Sequence, residues 1–221
     1  MKHSYGEGVQ LLVSAALAGF AFFLHYQKDI YEYRYRPLDL TQMDWVGGRP
    51  AGEIVQGFHL TQPLMIQEPD ALERDLSDPF CVNLLMANYA NRRNRGSFAV
   101  SIRSAEASQV KIVEADAVLD NQYEKICFDE LRFHQVYRKP ATLEITGIDG
   151  VPARSVTAWL SSTPIGERVQ INGAPTDLTL VHTLVLLKDT EGYQYNAYLL
   201  MLFASLLVGL LLMAIRHKGA I

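Results

Sequence analysis

Apolar residues are distributed along this chain in two different ways. Residues 9–24, VQLLVSAALAGFAFFL, and residues 197–215, AYLLMLFASLLVGLLLMAI, are nearly unbroken apolar runs, with Gln10 the one strongly polar member. Between them apolar and polar positions alternate. In SFAVSIRS (97–104), Phe98, Val100 and Ile102 share one face; in KICFDELRF (125–133), Ile126 and Phe128 share a face and Cys127 takes the other. Alternation at period two marks strands with one buried face. The same reading extends to EIVQGFHL (53–60), CVNLLMANYA (81–90), QVKIVEADAV (109–118), ATLEITGI (141–148), SVTAWLSS (155–162) and LTLVHTLVLL (178–187). PDALERDLSD (69–78) reads as one short helix beginning at Pro69 or Asp70. Asn94-Arg95-Gly96, Asp120-Asn121, Asp149-Gly150 and Asn172-Gly173 supply turn chemistry between strands. About eight strands at this spacing predict a mainly β domain, an antiparallel β-sandwich of jelly-roll type.

The continuous runs have a different logic. A helix crossing a hydrocarbon core of ~30 Å needs about 20 apolar residues. The second run meets that length, and the first reaches it once His25 and Tyr26 extend it into the interface. A cleaved signal peptide is the competing reading of the first run, with Ala16-Leu17-Ala18 as its cleavage site. Cleavage there leaves FAFFL exposed, and the preceding segment carries only Lys2 against Glu7. A buried core helix competes for the second run, but it is uncharged throughout and ends in Arg216-His217-Lys218. Both runs are therefore expected to be transmembrane helices. The basic tail should face the cytoplasm, which puts the other end of the chain on the same side. Lys28, Arg34 and Arg36 oppose that orientation. Tyr26, Tyr31, Tyr33 and Tyr35 after the first run, and Tyr193, Tyr195 and Tyr198 before the second, mark one shared interface. The expected organisation is a cytoplasmic tail (1–8), a transmembrane helix (9–26), a connector (27–53), an extracytoplasmic β-sandwich (54–190), a second transmembrane helix (196–215) and a cytoplasmic tail (216–221). Pro37, Gly47-Gly48, Pro50 and Gly52 forbid a continuous helix through the connector.

Composition sharpens this. Mean hydropathy is +0.03, an average over two apolar runs and an ordinary polar domain. The chain holds 20 Lys+Arg against 24 Asp+Glu, which disfavours nucleic-acid binding by charge. Its 49% hydrophobic content excludes wholesale disorder. Both cysteines, Cys81 and Cys127, lie in the central domain. An even count outside the cytoplasm permits one disulfide if the two strands are adjacent; two separate buried thiols are the alternative.

The order ANYANRRNRGSFAVSI (87–102), LDNQYEKICFDEL (119–131), ATLEITG (141–147), SVTAWLSS (155–162) and INGAPTDLTLVHTL (171–184) resembles a galactose-binding-like jelly roll of bacterial envelope proteins that handle polysaccharide. The resemblance spans about 54–187. It implies a non-catalytic β-sandwich in the periplasm, held at the bacterial inner membrane and associated with surface glycans or their export machinery. The fold alone does not establish sugar binding.

Chemical motifs are sparse. There is no phosphate loop, no GxSxG elbow and no His pair at metal-ligand spacing among His3, His25, His59, His134, His182 and His217. No catalytic residue, metal ligand or cofactor is expected. The densest polar segment is Asn88 to Gly96. Its Tyr89, Asn91, Arg92, Arg93, Asn94 and Arg95 are candidate contacts for a glycan or partner, since Arg and Asn offer forked hydrogen bonding and Tyr can stack. The competing reading is a solvated hairpin that keeps a strand edge soluble. Trp159 reads as core more readily than as a sugar platform, and Trp45 as lying near the membrane or a partner. Small-residue pairs at Ser14/Ala18, Ala15/Gly19 and Ser205/Gly209 are candidate helix-packing positions. The function expected is an accessory or scaffold subunit of an envelope membrane complex. Its partners would be the lipid bilayer and a membrane protein or second copy, with polysaccharide as a further candidate. The alternatives are a carbohydrate-binding module and a polysaccharide chain-length co-polymerase, the latter usually built on long helices outside the membrane.

Overall fold

The computed structural model describes residues 19–20, 23–24, 26–27, 35–38, 48–66, 76–90, 92–162, 167–188, 199–201 and 203–204. The chain divides into two units, Met1–Tyr35 with Lys188–Ile221, and Arg36–Leu187. In the first unit the described residues are helical, apart from Tyr35 and Lys188 at its boundaries. Among the described residues no helix is long and apolar enough to cross a membrane, so the two flanking transmembrane helices expected at 9–26 and 196–215 are not part of the described fold. Most of both apolar runs lies outside the described residues, as do Trp45 and the greater part of the 69–78 segment. The candidate helix-packing positions Ser14, Ala15, Ala18, Ser205 and Gly209 lie outside them too. Gly19 is described, as a half-buried helical residue, but its pair mate Ala15 is not. None of the pairs Ser14/Ala18, Ala15/Gly19 and Ser205/Gly209 therefore has both members among the described residues.

The second unit is built from strands: β1 (Tyr35–Leu38), β2 (Arg49–Pro50), β3 (His59–Met65), β4 (Pro79–Ala87), β5 (Ser97–Ser104), β6 (Ser108–Glu114), β7 (Gln122–Arg132), β8 (Pro140–Gly147), β9 (Thr157–Ser161), β10 (Gln170–Ile171), β11 (Ala174–Pro175), β12 (Thr179–Leu180) and β13 (His182–Leu187). One sheet has the order β11-β10-β3-β8-β5-β6; the other runs β1-β13-β4-β9-β12, with β7 also on β4 and β2 also on β9. The two sheets share one core. Leu60, Val100 and Leu143 from the first, with Phe80, Phe128 and Leu184 from the second, are all fully enclosed. Burying each such side chain contributes roughly 1.5–3 kcal/mol. Phe80 anchors the aromatic part, 5.8 Å from Phe128 and 6.5 Å from Phe133 between ring centroids.

Prolines and glycines explain where the ladders stop. Pro63 sits in β3 opposite Thr142 of β8, but β10 pairs only with Leu60 and Thr61 on the other edge. The missing N–H therefore falls where no strand needs it. Gly147 ends β8 because a Cβ there would lie 1.9 Å from the carbonyl oxygen of Val55. That close approach also corrects the strand expected at 53–60. Ile54 donates to the carbonyl of Val156 and Gln56 to that of Gly150, so residues 53–57 fold across the end of the domain and the ladder starts at His59.

The segment expected as a connector contributes edge strands β1 and β2, and the compact strand-built unit runs from Arg36 to Leu187. The run 178–187 is not one strand. At Val181 it leaves β9 for β4, donating to the Trp159 carbonyl and accepting from Leu85 N–H. The open side between β6 and β7 is closed by side chains. Gln109 accepts from the N–H groups of Glu130 and Leu131 at 3.1 and 3.0 Å, and its amide donates to Asp129 at 2.8 Å. Hydrogen bonds from Lys111 and then Gln109 hold the Asp129 carboxyl down at about 2.

Cys81 and Cys127 face each other across the β4–β7 ladder and form a disulfide. With a sequence separation of 46 between them, loop-closure entropy gives about 2–4 kcal/mol of stabilisation. Replacing both by serine is expected to lower the free energy of unfolding by that amount in urea denaturation while leaving the far-ultraviolet circular dichroism mainly β.

Candidate functional site

The polar segment 88–96 joins the end of β4 to β5, and the fold uses most of it internally. Tyr89 and Ala90 both have positive φ, 57° and 62°. This conformation is unfavourable for side chains with a Cβ, and the Asp120 carboxylate offsets it. One Asp120 oxygen accepts from Asn88 N–H at 2.8 Å and the other from Ala90 N–H at 3.2 Å. The Asn88 amide donates to the Val118 carbonyl at 3.0 Å, and the Asn94 amide donates to the Asn88 carbonyl at 3.2 Å.

Arg92 is the centre of this arrangement. Its Nε donates to Asn94 Oδ1 at 3.0 Å, and Nη2 donates to Glu53 Oε1 and to the Ser155 carbonyl, both at 2.5 Å. The second Glu53 oxygen accepts from Ala153 N–H at 2.7 Å. The Arg92 guanidinium also lies 4.6 Å from the Tyr89 ring centroid. Burial pushes the Tyr89 phenol up, against the pull of a hydrogen bond to Thr157. Arg92 and Glu53 are largely enclosed, at 29% and 23% side-chain exposure. The ion pair thus bolts together three loops that meet at one end of the sheets.

The six candidate contacts therefore separate. Arg92 and Asn94 are engaged in the fold, and Asn91 lies outside the described residues. Tyr89, Arg93 and Arg95 are exposed. They do not make a basic surface by themselves. Ala115 N–H donates to the Gly96 carbonyl, bringing exposed Glu114 and Asp116 to the same end, with Asp120 and Asp149 alongside. Asp149 is used as a cap, accepting from the backbone and hydroxyl of Ser97, which hold its carboxyl below the usual range. Glu53, Asp120 and Ser155 escape the sequence pattern because each is far along the chain from the turn it serves.

Trp159 is not in the main core. It lies on the opposite face of the seven-stranded sheet, packed against Leu85 and Val181, and its indole N–H donates to Asn121 Oδ1 at 3.0 Å. The alternation of β9 accounts for this, because Ala158 and Leu160 take the inward positions. Among the described residues no group of three or more His, Cys, Asp or Glu side chains is placed to hold a metal ion.

Comparison with protein-family models, curated proteins and solved structures gives no match for this chain.

The network makes a sharp distinction between neighbouring arginines. Arg92→Ala removes the donor to Glu53 Oε1 and to the Ser155 carbonyl and is expected to lower stability by about 2–3 kcal/mol. Arg93→Ala is expected to stay within about 0.5 kcal/mol of the parent. Chemical denaturation of both variants, with a double-mutant cycle through Glu53→Gln, checks this.

Proposed function

We propose that this chain is a membrane-tethered, non-catalytic β-domain that serves as an accessory or scaffold subunit of an envelope complex. On this reading the two apolar runs are membrane spans, both tails face the cytoplasm, and the β-domain lies in the periplasm of a bacterial cell. The association with polysaccharide rests on the resemblance to galactose-binding-like jelly rolls and is part of the proposal.

The observation that carries the scaffold reading is the engagement of Arg92. The least exposed arginine of the polar turn is engaged by Glu53, Ser155 and Asn94 rather than offered to solvent. Two further features support the setting. The Cys81–Cys127 disulfide fits an oxidising compartment. Phe20, Leu24, Leu199, Leu200 and Phe203 are large apolar side chains that stand exposed within the two apolar runs, as lipid-facing side chains do. A carbohydrate-binding module is the second reading, favoured by the exposure of Tyr89, Arg93 and Arg95 on the same turn.

Co-purification of the full chain from membranes in mild detergent, followed by mass spectrometry, is expected to recover a membrane-protein partner in stoichiometric amount. A monodisperse chain that purifies alone overturns the subunit reading. If that chain also retains an acidic or neutral surface polysaccharide, and loses it on Tyr89→Ala with Arg93→Ala, the carbohydrate-binding reading replaces it.

A further inference from the structure

β13 carries a histidine into the core. His182 faces Leu84 across the β13–β4 ladder, on the same side of its strand as Leu184 and Leu186, and is 3% exposed. Its Nδ1 lies 2.8 Å from the Leu180 carbonyl oxygen, a contact the ring makes only as an N–H donor. Its Nε2 is buried with no hydrogen-bond partner among the described residues. The pocket therefore suits a neutral imidazole with its proton on Nδ1. An imidazolium would add an N–H at Nε2 with no acceptor and place a charge among aliphatic side chains.

Among the described residues the surroundings offer little to compensate such a charge. Phe80, Val82, Leu84 and Met86 are the enclosed β4 side chains on this side. From β3, Gln62 is neutral and already committed. It accepts from Leu180 N–H, and its amide donates to the carbonyls of Pro63 and Glu167. The inward-lying residues of β8, Leu143 and Ile145, and of β9, Ala158 and Leu160, are apolar. Glu124 on β7 sits opposite Leu84 and is the carboxylate facing from that strand, itself pushed up by burial. Lys111 and Asp129 neutralise each other at the β6–β7 side.

We propose that His182 is an acid-sensitive latch, which seats β13 in the core as a neutral imidazole and releases that strand when it takes up a proton. β13 is the strand that links β1 to β4, so its release frees both ladders at once. The inference rests on the β-domain itself and is independent of the membrane and scaffold readings. Burial holds the imidazole below its ordinary titration range, with the Leu180 carbonyl pulling the other way. Because folding depresses the affinity for the proton, the unfolded chain binds it first. Stability is then complete above the unfolded histidine value of about 6.5 and is lost as pH falls below it toward the folded value. Asp129 and Asp149, whose values are lowered, act further down, below the unfolded carboxylate range.

Urea denaturation of the full chain in detergent, followed between about pH 7.5 and pH 5, tests the latch. Below about pH 6.5 the unfolding constant is expected to climb toward a tenfold rise per pH unit, the slope of one proton. His182→Gln and His182→Leu are expected to flatten that slope, while His59→Gln with His134→Gln is expected to keep it. A slope that survives in either His182 variant overturns the proposal. Should both fail to fold, loss of the slope in the His59/His134 variant overturns it and its persistence there supports it.

Discussion

Strand β4 has partners along both edges and enclosed side chains on both faces, and the β-domain is arranged around that constraint. One edge pairs with β7 from Pro79 to Met86; the other pairs with β13 through Leu84 and then with β9 at Met86 and Ala87. A backbone satisfied on both sides cannot shift register without breaking two ladders at once, and a one-residue slip would turn Phe80, Val82, Leu84 and Met86 away from the core. The disulfide locks the same register, since Cys81 meets Cys127 only in the pairing that also sets Val82 against Ile126. Every other element is then placed by its relation to β4. β13 and β9 share its second edge, and the six-stranded sheet covers the face that carries Phe80.

This explains which parts of the fold were legible in the sequence. Strands that expose one face announce themselves by alternation. β5 at 97–104 matches the SFAVSIRS pattern in full, and β8 matches ATLEITG closely. Period two is a local property, so these elements need no knowledge of their partners. The short strands are different. β1, β2 and the hairpin of β10 and β11 exist because a longer strand offers them an edge, and segments of two to four residues, most of them containing proline, carry no period of their own. The break at Val181 is likewise set by where β9 and β4 lie, within a segment whose local pattern reads as continuous.

The polar turn shows the same limit from the functional side. A cluster of Arg, Asn and Tyr at a strand connection has one appearance in sequence whether it grips a ligand or holds loops together. What separates the two is the long-range partner of each donor. Glu53 is 39 residues from Arg92 and Ser155 is 63 residues from it, so no window around the turn contains the answer. The two positive-φ residues beside it have the same explanation. Tyr89 and Ala90 hold an unfavourable backbone because Asp120, on a different connection, accepts from the amides around them. Strain at a turn is a reason to look for function, but here the surrounding structure supplies a sufficient cause in domain assembly.

The position of this knot in the domain matters for any tether. β13 runs antiparallel to β4, with His182 opposite Leu84 and Leu186 opposite Phe80. The chain therefore leaves the domain at the Pro79 end of β4, whereas the Arg92 network closes the Asn88 end. At about 3.3 Å per residue, the eight steps from Pro79 to Ala87 separate the two ends by ~26 Å. A load entering through the exit strand falls first on the β13 ladders, which are shared with β1 and β4, and reaches the Arg92 network last. The polar loops are thus held together at one end of β4, and the entry and exit strands, β1 and β13, pair as neighbours. Attachment on both sides of the domain would then enter through paired strands, which suits the proposed fixed subunit more than a loop-based ligand clamp.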